Sequence, residues 1–435
     1  MDSKGPNIFQ TILMFVFGVI AVVALLIFSG ILPGFRADKM ATSEIPVLWG
    51  VIPNADFTRL VSDYNEKNKE MPLAVKYQYH DPARFDDELT RALASGTGPD
   101  MFMVTNENFF RHLGEIYKIS FTAYPESNFK NAFLDSGEVF QGKDGFYALP
   151  FGIDPLVMYY NRSTFSGAGL ALPPDSWPAV VANHQIITKV DNRKNIQKSL
   201  VALGEFSNIR NAKEIFVSMI FQAGNPIVSL GPDGKHRSIL GNSFGYSPDP
   251  LTAATTFFAQ FSDPLKTTYS WNRSMPMDID NFVAGDLALY FGFASELAAL
   301  RDKNPHLDFN VAGFPQKDAQ GKAYAKIYAI ALTKNSTKLT SAWTALQVLS
   351  GSNMAPLLDN ALDIVPMRRS LISTKPTDPM LQVFYKSAIM AKSFADPDYI
   401  SSKGVLNDVI ERYKSGVVVS AAGAGNNLSV LLNQP

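Results

Sequence analysis

Two kinds of side chain in this sequence sit where they could hold a small molecule. Short polar groups fall where apolar, strand-like runs end. Asn54 and Asp56 follow the run 45–51, Asn106 and Glu107 follow 101–104, and Asp154 lies between two prolines within 147–165. Large rings occupy comparable positions: Phe151, Tyr269, Trp271, Phe291 and Phe293. Aromatic faces stack on C–H surfaces while carboxylates and amides pair with hydroxyls, so the set suits binding of a polyhydroxylated solute without covalent change. Simpler roles stay open at this point: Asn54, Asp56 or Asn106 as a helix cap, Asp154 bonded to amides at a turn, and Trp271 as local packing.

Catalytic patterns are missing. The five histidines, His80, His112, His184, His236 and His306, are scattered, and no HExxH pair exists for zinc. There is no cysteine, which removes disulfides, thiolate nucleophiles and a lipid carried on an N-terminal cysteine. No G-x-S-x-G elbow or Walker sequence occurs, and Gly96-x-Gly98 runs into Pro99 where a dinucleotide loop needs glycine. A glycosidase-type carboxylate pair has no spacing signature, so sequence alone leaves it open. No cofactor and no metal are expected. Thirty-nine Lys+Arg against 40 Asp+Glu give a net charge of −1, without the basic field that nucleic acid requires.

The elements that would position these residues form an alternating series. Strand-like runs at 45–51, 73–79 and 101–104 alternate with helical spacing at 56–69 and 82–95, the pattern of a parallel-sheet α/β domain. Ligands in such sheets bind at loops leaving the carboxyl ends of strands, here 52–56 and 105–108. Helical segments then dominate, at 213–223, 251–261, 278–284 and 294–301, with a hairpin turn at 231–234. Strand signals return at 311–314 and 327–332, and helices follow to a Gly/Ala/Asn-rich tail at 421–427. Ahead of all this, residues 8–32 hold no charge. At ~1.5 Å per residue such a helix crosses a hydrocarbon core of roughly 30 Å, so the run is expected to be an uncleaved transmembrane signal anchor, with 33–43 as linker.

Three segments carry a resemblance: SGTGPDMFMV at 95–104, YALPFGIDPLVMYYNRSTF at 147–165, and FVAGDLALYFGFA at 282–294. In this order and spacing they resemble the extracellular solute-binding proteins of ABC importers, in the branch that includes the sugar receptors. The resemblance implies an α/β, two-lobed periplasmic-binding-protein-like fold of type II, with discontinuous lobes joined by hinge crossings. Carried onto this chain, the N-terminal lobe is 44–153 with 312–364. The C-terminal lobe is 154–311 with 365–435, and crossings fall near Asp154, Val311 and Val365. The implied function is capture of a carbohydrate or similar small polar solute between the lobes, for delivery to ABC permease subunits. The body would lie outside the cell membrane, tethered to the bilayer by 8–32. Alternatives are a tethered receptor reporting occupancy to a sensor protein, or a glycan-active enzyme. Sugar receptors often have a tryptophan after the third strand; Val104-Thr105-Asn106 stands there instead, which argues against a maltose-like ligand.

Overall fold

Apolar runs bounded by turn residues become strands, and a run that is apolar without alternation becomes a strand buried on both faces. The longest such run, ALPFGIDPLVMYYN, is one continuous strand of 14 residues with all but one side chain buried. The computed structural model describes residues 45–316 and 322–433. The expected signal anchor at 8–32 and the linker 33–43 lie outside the described residues. Among those described, no helix is long and apolar enough to cross a membrane.

Among the described residues fourteen strands follow in chain order: β1 (Val47–Gly50), β2 (Lys76–Tyr79), β3 (Met101–Thr105), β4 (Ile119–Ser120), β5 (Gly145–Phe146), β6 (Ala148–Asn161), β7 (Lys189–Val190), β8 (Ile196–Val201), β9 (Val228–Leu230), β10 (His236–Ser238), β11 (Leu287–Phe293), β12 (Phe309–Ala312), β13 (Ala325–Leu332) and β14 (Val365–Pro366). Ten of them form one mixed sheet in the order β2-β1-β3-β13-β6-β11-β8-β7, with β12 and β14 also paired to β6. As the sequence predicts, β1, β2 and β3 pair in parallel, with the Asn54–Lys67 and Phe85–Ala94 helices between them in the chain.

Strand β6 divides its partners along its length. Ala148 to Pro155 pair with β13, and Gly152 and Ile153 also with β14, whereas Leu156 to Asn161 pair with β11 and β12. The prolines flanking Ile153-Asp154 therefore mark the place where one set of partners gives way to the other. A register shift in β13 between Tyr328 and Ala329 falls opposite Gly152 and Pro150. At Val365, β14 pairs with the β13 half of β6, and the Pro379–Met390 helix packs on β6, β12 and β14. Lys392 beyond it is hydrogen-bonded on either side to Ala323 and Ala325.

Local punctuation follows the expected chemistry. Gly285 ends the Asp278–Ala284 helix in the left-handed region at φ 90°, leading directly into β11. The predicted hairpin forms, with β9 and β10 antiparallel around 231–235. The Gly/Ala/Asn-rich tail is a helix, Ala421–Leu432, started by Ser420, whose hydroxyl accepts the Gly423 N–H at 3.0 Å. Its Gly425 is required by packing, since a Cβ there would come within 2.9 Å of the Gly241 nitrogen.

Candidate functional site

The loop after β3 carries the first two site residues into the region where β6 changes partners. Asn106 is fully buried; its Oδ1 accepts the Ile327 N–H at 2.8 Å, and its Nδ2 donates to Tyr324 Oη at 2.9 Å. Glu107 is buried beside it. Tyr324 Oη donates to its Oε1 at 2.8 Å, and Lys326 Nζ approaches its Oε2 at 2.9 Å. Tyr324 and Lys326 bracket the start of β13, so this triad ties the loop after β3 to the strand that pairs with the first part of β6.

A second group approaches from the other side. The Ala212–Gln222 helix opens with Lys213 and Glu214, each only 1% exposed. Lys213 Nζ pairs with Asp396, donates to Ser402 Oγ at 2.8 Å and to the Tyr399 carbonyl at 3.1 Å, and lies 4.0 Å from the Tyr399 ring centroid. The Ser402 hydroxyl in turn donates to the other Asp396 oxygen at 2.6 Å. The Asp396 N–H donates to the Asn106 carbonyl at 3.0 Å, which joins the two groups. Glu214 Oε2 has no hydrogen-bond partner among the described residues. Burial, reinforced by the facing Glu107, pushes the Glu214 carboxyl above its ordinary range. Burial opposes charge on Lys326, yet Glu107 holds its ammonium well above the usual lysine value.

Asp154 and Phe293 complete the region. Asp154 is 2% exposed, and its carboxylate accepts the Ser295 N–H at 3.1 Å and the Ser295 hydroxyl at 2.6 Å. Burial raises it to about 7, against the Ser295 hydrogen bonds and the Lys326 charge. The Phe293 ring sits 6.3 Å from that of Tyr324, with Lys326 Nζ 5.4 Å from its centroid.

Four of the ten sequence-derived candidates, Asn106, Glu107, Asp154 and Phe293, thus lie around Tyr324 and Lys326. The other six lie elsewhere. Asn54 is exposed and accepts the Tyr79 N–H at 3.0 Å, while Asp56 pairs with Arg59; neither caps the Asn54–Lys67 helix. Phe151 is fully buried in β6 near Tyr328, and Phe291 packs against Trp177 and Phe314. Tyr269 accepts a hydrogen bond from Asn272 at 2.8 Å. Trp271 is fully buried, its Nε1 donating to Asn208 Oδ1 at 3.1 Å, so its indole is core and presents no face to a solute. Sequence reasoning passed over Lys213, Glu214, Tyr324, Lys326 and Asp396. The available signal was an adjacent Lys-Glu inside AKEIFVSMIFQ, where a charge has no polar helix face to occupy.

The arrangement can clamp and orient a polar molecule. Among the described residues no group of three or more His, Asp or Glu side chains could hold a metal ion. Residues 59–380 match the family model described as bacterial extracellular solute-binding protein. Relatives from Brucella abortus and Brucella suis, named only as binding proteins, are 23% identical over 271 residues; the match spans 60% of this chain and 61% of theirs. A cyclo/maltodextrin-binding protein solved with maltotetraose superposes with a TM-score of 0.68 at 14% identity, covering 91% of this chain and 98% of that one. The cyclic α-maltosyl-1,6-maltose binding protein of Arthrobacter globiformis gives 0.69 at 16% identity, covering 89% and 97%. The GacH receptor of Streptomyces glaucescens gives 0.63 at 15%, covering 90% and 98%. The family model covers well over half of the sequence, and the chain belongs to the bacterial extracellular solute-binding proteins, a family of receptors and not of enzymes.

Proposed function

We propose that this protein is the extracytoplasmic receptor of an ABC importer, binding a carbohydrate or similar small polar solute between two lobes that close by a hinge. The observation that carries the reading is the convergence at β6. The Glu107–Tyr324–Lys326 triad belongs to the β3/β13 side and the Lys213–Asp396–Ser402 group to the opposite side, and they meet where β6 exchanges partners. A solute entering there would touch both sides, and its contacts would favour the closed arrangement, as in the hinge closure for which periplasmic binding proteins are the standard case. Maltotetraose in one structural neighbour and acarbose in another support a carbohydrate.

The lobe boundaries in this reading are 44–153 with 312–364, and 154–311 with 365–435, with crossings near Asp154, Val311 and Val365. The charge-free segment 8–32 anchors the chain, and 33–43 gives it reach above a permease pair.

Calorimetry of the full chain, purified in a detergent without a sugar headgroup, against a panel of oligosaccharides tests the ligand class. Binding of at least one is expected, and a response only to non-carbohydrate solutes would overturn it. Membrane fractionation tests the anchor: the intact chain is expected in the membrane pellet and a chain lacking 1–42 in the supernatant.

A further inference from the structure

The β9–β10 hairpin has no partner strand in the main sheet. Its base is fixed to the lobe that holds 154–311. Asn225 Nδ2 donates to the Ile239 and Leu240 carbonyls at 2.9 Å each, and β10 packs on the Ala421–Leu432 helix. Ile227 enters the hairpin in the left-handed region, at φ 70°. A β-branched residue keeps that conformation only where its surroundings impose it. Here the Ile227 N–H donates to Asn225 Oδ1 at 2.7 Å, and its carbonyl accepts the Ile239 N–H at 2.8 Å. The hairpin therefore leaves its lobe as a stiff arm. The tip of the arm rests on the other lobe. His236 meets Phe110 edge to face, with ring centroids 5.4 Å apart and planes at 85°. Gly234, at φ 81°, lies so close to Lys143 that a Cβ there would come within 2.7 Å of the lysine Cβ. Phe110 and Lys143 both fall within 44–153, and Phe110 sits in the short helix Phe109–His112 just beyond Glu107.

Resting on the receptor reading above, we propose that this hairpin is a latch: its tip, planted on Phe110 and Lys143, holds the two lobes together and opposes their opening. The contact is made without β6 and without the buried polar cluster. It therefore favours the closed arrangement for any solute or for none, whereas a side chain that touches solute acts only when solute is bound. A hinge that opens must pull the His236 ring from Phe110, and the stiff base keeps the hairpin from following. Burial lowers the His236 imidazole from its ordinary value, so at neutral pH two uncharged rings meet. An aromatic edge contact of this kind shifts an equilibrium roughly two- to tenfold, enough to hold a hinge without locking it.

The test uses the absence of cysteine from the chain. Glu66→Cys on one lobe and Thr256→Cys on the other, both at exposed helical positions, take nitroxide labels without competition. Double electron–electron resonance at pH 7 reads the label separation in the full chain, in a detergent without a sugar headgroup. It is recorded without solute and with maltotriose, cellotriose or mannotriose. Phe110→Ala and His236→Ala, their folds checked by circular dichroism, are each expected to raise the population at a second separation roughly two- to tenfold without solute. His236→Phe keeps a ring on Phe110 and is expected to keep the parent distribution. A His236→Phe that behaves like His236→Ala overturns the ring contact as the latch. Separations that a sugar changes and the alanine variants do not overturn the latch alone and leave the hinge standing. A single separation that no variant and no sugar changes overturns the latch and the two-lobed reading together.

Discussion

Ser295 grips Asp154 with two hydrogen bonds, N–H to Oδ1 at 3.1 Å and Oγ to Oδ2 at 2.6 Å, and so fastens the middle of β6 to the chain just beyond β11. The pair spans the point where β6 changes partners, and its carboxyl is nearly inaccessible to water.

Burial of this carboxyl makes stability depend on pH. Burial lifts the Asp154 carboxyl from 3.8 to about 7. A carboxyl raised in the folded state binds its proton more tightly there than in the unfolded chain. Its contribution is therefore complete below about pH 4 and is lost as pH rises through about 7. Three pH units correspond to at most about 4 kcal/mol. Asp154→Asn keeps an acceptor for the Ser295 N–H and removes the titration. Urea unfolding between pH 4 and 8 is expected to show a shallower decline for the variant than for the parent, and parallel slopes would refute the assignment.

Gly152, two residues earlier, has no room for a methyl group. A Cβ there would run into Asp359 Oδ1 and the Ile364 side chain. Both neighbours are held in a closed layer between β6 and the Ala355–Ala361 helix, so overpacking should cost about 1–3 kcal/mol. Gly152→Ala is expected to lower the thermal midpoint, and the double variant with Ile364→Val should recover part of the loss.

Trp271 separates packing from binding. Its indole is fully buried and hydrogen-bonded to Asn208, so Trp271→Ala should cost about 3–5 kcal/mol in unfolding free energy. Trp271→Phe keeps most of the buried area and removes the N–H. It is expected to lower stability while leaving solute affinity unchanged, as measured by calorimetry on the folded fraction. A selective loss of affinity would return Trp271 to the site.

Much of the framework was legible because its signals are local. Gly285 closing a helix, prolines on either side of Ile153-Asp154, and alternating apolar runs from β1 to β3 each act over a few residues. The site was legible only where a loop leaves a strand end, as with Asn106 and Glu107. The burial of Trp271 was not legible because its orientation is set at a distance: its own N–H and that of Ser270 both bond to the Phe261 carbonyl, and the indole turns toward Asn208. In the tail, the packing of Gly425 against Gly241 was not legible, since the two lie far apart in sequence. Lys213 was legible as an oddity and its partner was not, since Asp396 lies 183 residues away with nothing in sequence to connect them.

That partnership gives the last prediction. Lys213 and Asp396 are both essentially inaccessible, and among the described residues each is the other's only ion-pair partner. Removing one partner leaves a buried ion without compensation, which typically costs 3–5 kcal/mol. Lys213→Met should therefore destabilise strongly, and so should Asp396→Leu, while the double variant loses both charges together and escapes the penalty of an orphaned ion. Ser402 then keeps its bond to the Tyr399 or Asp398 carbonyl and is not left unsatisfied. Urea denaturation of the four proteins at pH 7 is expected to give a coupling energy of about 2 kcal/mol or more, with the double variant more stable than either single one. Additive losses would mean that the two charges are solvated independently, and the pair would then have no part in holding the Ala212–Gln222 helix against the Tyr399–Lys414 helix.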